Sequence, residues 1–131
     1  MTKLTREEVL EIAHKLEEAE LEGIDLSGAN LSRADLCKAN LTGANLRGAN
    51  LRSATLTWAK LFRAHLQDTS LGNADLRWAD LRKANLSGAN LTTANLRWTY
   101  LKGAKYDQDT KFPKEFDPEE AWMVLMEEQD D

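Results

Sequence analysis

Leu recurs at every fifth position from Leu26 to Leu101, sixteen times without a miss. The position two residues before each repeat centre, from 29 to 104, is Ala in fourteen of sixteen cases, and Thr69 and Thr99 are the exceptions. On an α-helix, a five-residue step turns by about 140°, which would scatter the leucines around the helix. On a flat strand, an odd spacing sends successive leucines to opposite faces of the sheet. A chain that turns the same way after each pentad can bury all of them, so the period predicts a solenoid with short β-bridges.

The apolar composition alone favours helices. The chain has 21 Leu and 17 Ala but only four β-branched aliphatic residues, a balance that indicates helix by intrinsic propensity. Periodicity is the stronger constraint, because the spacing decides which side chains can share one core. We therefore expect the repeat to be β in spite of its composition.

A second period sets the size of the coil. Trp58, Trp78 and Trp98 recur every twenty residues, each two places after a Leu. Four pentads per coil follow, and coils at β spacing lie about 4.8 Å apart, so residues twenty apart become neighbours. We expect the three indoles to stack, and the seventeen pentads from Leu26 to Tyr106 to make a little over four coils.

The repeat unit is Ala, then Asn or Asp, then Leu, then two variable residues, as in Ala29-Asn30-Leu31 and Ala34-Asp35-Leu36. This pattern resembles the consensus of the pentapeptide-repeat family over about two-thirds of the chain. The resemblance implies a mainly β fold, a right-handed quadrilateral β-helix in which Leu and the residue two before it point inward. Asn and Asp suit the position before Leu because their side chains bond nearby backbone groups and tolerate turns.

The residues before the repeat predict a capping α-helix. Thr5 and Glu8 have the spacing of a capping box, which begins a helix over about residues 6–20. We expect this N-terminal helix, within residues 1–23, to cover the first coil of a β-helix that spans residues 24–106.

The acidic C-terminal segment, residues 107–131, predicts a second capping helix. Asp117 followed by Pro118 is typical of a helix start, with an N-cap and a proline at the first helical position. We expect this short helix to cover the last coil, because open β-helix ends present unpaired strand edges. Its apolar residues could instead build a dimer, so a monomer and a dimer through the C-terminal helix both stay open.

One coil of the repeat is irregular. The polar position before Leu departs from Asn and Asp four times in succession, and the same coil carries Thr69 in place of an inward Ala. The departures are Thr55, Lys60, His65 and Ser70. The irregularity is interpreted either as drift at tolerant surface positions or as a local recognition patch.

Charge is divided unevenly along the chain. Residues 1–23 carry a net charge of −4, residues 24–106 of +7 and residues 107–131 of −8, so a basic rod lies between acidic ends. Some pentapeptide-repeat proteins are thought to imitate DNA and occupy DNA gyrase, so the resemblance offers a modulator of gyrase or another topoisomerase as an alternative function. A cationic rod opposes it, because it cannot reproduce the phosphate charge of a duplex.

The twenty-residue register places eight of the twelve basic residues of the rod on two adjoining sides, together with exposed aromatic residues. Cations and aromatic rings are typical of protein interfaces and of single-stranded nucleic-acid sites. We expect a partner protein, as yet unidentified, to bind here. Two alternatives stay open, a purely structural stack with Arg over the indoles and nucleic-acid binding. The candidate residues are Trp58, Lys60, Phe62, Arg63, Arg77, Trp78, Arg82, Lys83, Arg97 and Trp98.

Catalytic and metal-binding motifs have little support. His14 and His65 lack a Ser, Cys or carboxylate at a spacing that demands chemistry, and no phosphate-binding glycine motif or two-His metal motif occurs. Cys37, the sole cysteine, is expected to point outward and excludes an intramolecular disulfide. We expect no enzyme activity, no cofactor and no metal. Without a long apolar run or a signal-peptide pattern, we expect a cytoplasmic protein that does not enter a membrane.

Overall fold

The computed structural model describes residues 4–127, most of which wind into a four-sided β-helix. Parallel β-bridges join each outward position before a Leu to the position twenty residues further on, from Glu20↔Asn40 to Asn85↔Lys105. Each bridge is closed by paired backbone hydrogen bonds, such as Leu31 N–H to the Asn50 carbonyl at 2.8 Å. The predicted coil of four pentads is confirmed.

The core is a column of Leu and Ala side chains. Every repeat Leu from Leu26 to Leu91 is at most 1% exposed, and the inward Ala positions are buried with them. The two Thr exceptions satisfy their hydroxyl groups on the backbone. Thr69 Oγ1 donates to the Leu66 carbonyl at 2.9 Å, and Thr99 Oγ1 donates to the Leu76 carbonyl at 2.7 Å. A hydroxyl is therefore tolerated inside the rod because it finds an acceptor there.

The corners of the rod are β-turns. The two residues after each Leu make a corner, and the next three residues make a flat side that ends on the following Leu. The second corner residue has a positive φ in every pentad from Glu18 to Gly103 except at Thr93, and Gly fills six of these places. A β-branched residue is strongly disfavoured in that conformation, which accounts for the exception. Each corner therefore holds two outward side chains in a fixed direction.

The N-terminal helix is shorter than predicted. Helix α1 spans Arg6–Glu11 and is followed by a 3₁₀ helix, Ala13–Lys15. Thr5 and Glu8 form the capping box, with the Thr5 Oγ1 accepting from the Glu8 N–H at 3.2 Å. The expectation of a helix reaching residue 20 is wrong.

The reason lies in two leucines that continue the five-residue period upstream. Leu16 and Leu21 are each 1% exposed, and the Leu16 N–H donates to the Asp35 carbonyl at 2.9 Å. The first coil therefore begins at Leu16, because pairing with the next coil satisfies backbone groups that a longer helix would have to bond internally. Helix α1 packs on this coil through the buried Val9, and the Arg6 guanidinium donates to the carbonyls of Asp25 and Ser27 at 3.0 and 2.9 Å.

The C-terminal helix is absent from the described residues. Asp117 Oδ1 accepts from the Glu119 N–H at 2.9 Å as an N-cap would, but the turn ends at Trp122, where φ is 62°. The chain then forms strand β2, Val124–Leu125, which pairs in parallel with strand β1, Lys105–Tyr106. Pairing with the last coil uses backbone groups that a one-turn helix would leave open, so the strand replaces the helix.

The repeat ends where its register changes by one residue. Asn90 bridges to Lys111, twenty-one residues away, and Thr110 is buried at that end of the rod. A small aromatic cluster follows. Tyr106 and Phe112 make an edge contact at 5.4 Å between ring centroids, and Phe112 stacks on Phe116 at 5.1 Å. These rings and the buried Met123 cover the last coil in place of a helix.

Between residues 4 and 127, the helices are all too short or too polar to cross a bilayer.

Replacing Leu56 by Ala should lower the free energy of unfolding by about 3 kcal/mol, because removing a side chain from a fully packed site leaves a cavity. The matched control is Leu96→Ala in the same column, where the side chain is only partly buried. We expect Leu96→Ala to cost about half as much or less by urea unfolding. Equal losses of unfolding free energy in the two variants would contradict the difference in burial between Leu56 and Leu96.

Candidate protein-interaction surface

The tryptophans form a continuous stack on one corner of the rod. The ring centroids of Trp58 and Trp78 lie 5.2 Å apart at an interplanar angle of 9°, and those of Trp78 and Trp98 lie 5.1 Å apart at 15°. The predicted stacking is confirmed. Trp58 and Trp98, at the two ends, are 53% and 56% exposed. The stack therefore presents a large apolar surface to the outside of the rod.

Two arginines beside the stack are held by carboxylates. Arg77 makes a bidentate contact with Asp75, with Nε to Oδ1 at 2.9 Å and Nη2 to Oδ2 at 2.7 Å. Arg82 makes the same contact with Asp80 at 2.8 and 2.7 Å. These hydrogen bonds hold the pKa of Asp75 and of Asp80 below the usual range of aspartate and raise the pKa of both guanidinium groups. Both arginines are fixed in direction, and their charge is balanced locally.

The cations that contact an aromatic ring do so at the neighbouring corner. The Arg63 and Arg82 guanidinium carbons lie 5.3 and 5.6 Å from the centroid of the Phe62 ring. In residues 4–127, no such contact is made to an indole. The expectation that Arg covers the tryptophans, part of the purely structural interpretation, is therefore wrong. Arg77 bonds Asp75 instead of an indole.

The candidate residues occupy two adjoining corners and the flat side between them. Arg77, Arg97 and the three tryptophans lie on the first corner, Lys60 lies on the side, and the remaining four lie on the second corner, where the twenty-residue register places them. We call this ten-residue set the tryptophan surface. Its members are Trp58, Lys60, Phe62, Arg63, Arg77, Trp78, Arg82, Lys83, Arg97 and Trp98.

The irregular coil keeps the regular backbone. Thr55, Lys60, His65 and Ser70 each form the bridges expected at their positions, so the irregularity is confined to side chains. Lys60 is exposed on the tryptophan surface, and His65 Nδ1 lies 3.4 Å from Arg47 Nη2 on the next side. The role of the irregular coil as a recognition patch stays a prediction.

The residues considered for chemistry do not assemble into a site. His14 is exposed in the 3₁₀ helix, and Cys37 is partly buried and accepts a hydrogen bond from Thr57 Oγ1 at 3.3 Å. Among residues 4–127, His, Cys, Asp and Glu side chains nowhere gather in a group of three that could hold a metal ion.

Sequence reasoning missed a second group of cations. Lys105 lies on the side that follows the Phe62 corner, and Arg47 lies on the corner at the far edge of that side, with His65 between them along the rod. Neither cation forms an ion pair within the described part of the chain. The signal was available, since the twenty-residue register places Lys105 in the same column as His65 and Arg47 in the column of Gln67.

Comparison with known proteins identifies the family. The family model for pentapeptide repeats matches eight copies, over residues 19–57, 29–68, 59–97 and 69–105. The chain belongs to the pentapeptide-repeat family. The match begins at residue 19, before Leu26, in agreement with the upstream start of the first coil.

Solved structures of pentapeptide repeat proteins are similar to this chain. The protein alr5209 from Nostoc Pcc 7120 is 39% identical, with 84% of this chain and 83% of that chain covered and a TM-score of 0.47. Rfr23 from the cyanobacterium Cyanothece 51142 is 40% identical, with 68% and 64% covered and a TM-score of 0.40. QnrB1, a plasmid-mediated fluoroquinolone resistance protein, has a TM-score of 0.52 at 15% identity over 82% of this chain and 61% of that chain, a likeness of fold alone. No curated protein matches the chain.

The bond between Asp75 and Arg77 should stabilise the fold above about pH 4 and lose that effect below it. Because the pKa of Asp75 is lowered in the folded state, its contribution is present above the ordinary pKa of aspartate and lost as the pH falls through the lowered value. Asp75→Asn keeps the turn and removes the ion pair, so it should lower Tm by about 1–2 °C at pH 7.

The control is Asp35→Asn, in the same column. Asp35 Oδ1 accepts from the Cys37 N–H at 3.2 Å, as Asp75 does from the Arg77 N–H, but it has no guanidinium partner in residues 4–127. Thermal melts should separate the two variants at pH 7 and bring them together below about pH 4. A separation that is the same at all pH values would exclude the ion pair as its cause.

Proposed function

We propose that this protein is a non-catalytic interaction module that binds a partner protein through the tryptophan surface. The observation that carries the proposal is the indole stack, whose ends are more than half exposed and which no described cation covers. Trp and Arg are the residues most enriched among those that dominate binding energy at protein interfaces.

The surface is rigid before any partner arrives. Backbone bonds join every coil to its neighbours, the indoles stack on one another, and Arg77 and Arg82 are bidentate to Asp75 and Asp80. Side chains that are already ordered lose little conformational entropy on binding, which raises affinity without additional contacts. The three indoles also hold left-handed backbone conformations, with φ of 62°, 63° and 61°. Bulky residues rarely adopt this conformation, and Gly serves at six equivalent corners.

The charges indicate what the partner presents. Arg77 and Arg82 are balanced by their carboxylates, whereas Lys60, Arg63, Lys83 and Arg97 form no ion pair within the described residues. A complementary surface would place apolar or aromatic side chains on the stack and carboxylates around it.

Protein binding is favoured over nucleic-acid binding by the geometry of the stack. The indole planes are almost parallel and their ring centroids lie about 5 Å apart, so the inner ring faces are occupied by one another. Bases of a single strand need free aromatic faces on which to stack. The rod also carries a net charge of +7 over residues 24–106, which argues against imitation of DNA in a gyrase-directed role.

Replacing Arg77 and Trp78 together by Ala should abolish partner capture while leaving the far-ultraviolet circular-dichroism spectrum unchanged. Tagged wild-type and variant proteins are used to capture partners from extracts of the cells that make the protein, with mass-spectrometric quantification. The matched control is Arg52→Ala with Trp122→Ala, which removes the same side-chain types from exposed positions elsewhere.

A partner of the tryptophan surface is enriched on the wild type and on the control and lost from the Arg77/Trp78 variant. The purified partner should then show the same pattern of affinity in isolation. Equal capture by the two double variants would reject this surface. Purified DNA gyrase in a supercoiling assay tests the alternative, for which we expect no effect of the protein.

A further inference from the structure

A basic trough lies on the side of the rod that follows the Phe62 corner. Its two walls are the corner that carries Arg63 and Lys83 and the opposite corner that carries Arg47 and Gln67, and its floor carries His65 and Lys105. The cavity measures about 830 Å³. We call these six residues the basic trough.

The charge of the trough is uncompensated in the described structure. Four of its residues are Arg or Lys, and no Asp or Glu lines the cavity. None of the four forms an ion pair in residues 4–127, in contrast to Arg77 and Arg82. Three carboxylates lie near the trough in register, outside its lining. Asp25 Oδ1 accepts from the Ser27 N–H at 3.0 Å and from Ser27 Oγ at 2.7 Å, and Asp107 Oδ1 accepts from the Gly88 and Asp109 N–H groups at 3.0 Å each. The carboxylate of Asp68 lies against Gly88. The trough therefore attracts anions.

His65 lies beside Arg47 on the floor of the trough. Its Nδ1 lies 3.4 Å from Arg47 Nη2, and because a guanidinium can only donate, Nδ1 accepts in this contact.

Gln67 lies on the far wall of the trough. Its Oε1 is a buried acceptor with no hydrogen-bond partner among the described residues, and its burial keeps this atom from a ligand in the trough. The trough is therefore defined by its four cations.

We propose that the basic trough binds an extended acidic segment of a partner protein. Arg47 and Lys105 lie three coils apart along the rod, about 14 Å at β spacing, which an extended peptide covers with about four residues. Carboxylates of that segment pair with the four cations. The trough shares Arg63 and Lys83 with the tryptophan surface, but it is argued from its own charge and does not depend on the proposed function.

The lining favours a peptide over a single-stranded nucleic acid. Phosphates would also pair with the cations, but sequence-tolerant strand binding adds stacking of bases on aromatic rings. No aromatic side chain lines this cavity.

The probe is a fluorescein-labelled peptide of four consecutive Glu between Gly and Ser residues, measured by fluorescence anisotropy at about 0.15 M salt, where the Debye length is about 8 Å. Arg47→Gln with Lys105→Gln should weaken its binding about tenfold, which two exposed ion pairs of ordinary strength account for. Arg33→Gln with Arg52→Gln removes the same charge from a corner that does not line the trough. This variant should keep its affinity within about twofold of the wild type, because exposed charges that are more than a Debye length from the peptide are screened. The same peptide with Gln in place of Glu should not bind.

Amide chemical shifts of the wild-type protein give a second measurement that needs no substitution. Shifts on adding the peptide should concentrate at residues 63–67 and 83–85 and spare the tryptophan corner. The proposal is overturned if the two double variants lose equal affinity, if the wild type does not bind the peptide, or if a labelled oligonucleotide of equal charge binds more tightly and depends on Arg47 and Lys105. Arg77→Ala with Trp78→Ala should leave peptide binding intact, so the failure of one proposal is distinguishable from failure of the other.

Discussion

Backbone pairing between residues twenty apart is the constraint on which the rest of this structure depends. Each coil donates to and accepts from its neighbours, so the rod is a ladder of short parallel bridges and needs no long strand. The Leu and Ala side chains fill the interior because the pairing brings them to one axis. Outward side chains are placed in straight columns for the same reason. An ordered surface is therefore a direct product of the fold.

The columns bring together residues that are far apart in sequence, and small differences between columns change their properties. On the tryptophan surface, the indoles stack, and Arg77 and Arg82 are bonded to Asp75 and Asp80, which gives an apolar stack beside two arginines of balanced charge. On the next side, no Asp or Glu lines the trough, and Arg47 and Lys105 form no ion pair within the described residues. One backbone thus carries two surfaces of different chemistry.

Much of this could be predicted from the sequence, because both periods are strict. The Leu spacing predicts the solenoid, the Trp spacing predicts the coil, and the columns follow, whereas the right-handed winding came only from the family resemblance. Local signals misled at the ends, where Leu16 continues the period into a helical pattern and Val124 pairs as a strand after a helix-like N-cap at Asp117. Side-chain pairing inside a column, such as Arg77 with Asp75, depends on rotamers that spacing does not specify.

The one-residue register change at Lys111 shows what an insertion does to this architecture. Beyond it the regular winding stops, since a single added residue moves the inward Leu and Ala positions outward. Deletions or insertions within the rod should therefore keep the columns aligned only when they remove or add a complete coil of twenty residues, which shortens or lengthens every column by one side chain. A coil inserted among the tryptophans would offer one more position for an indole and would leave the distance between neighbouring positions of the stack unchanged. The length of the binding surface can thus be altered in whole steps while its chemistry is kept.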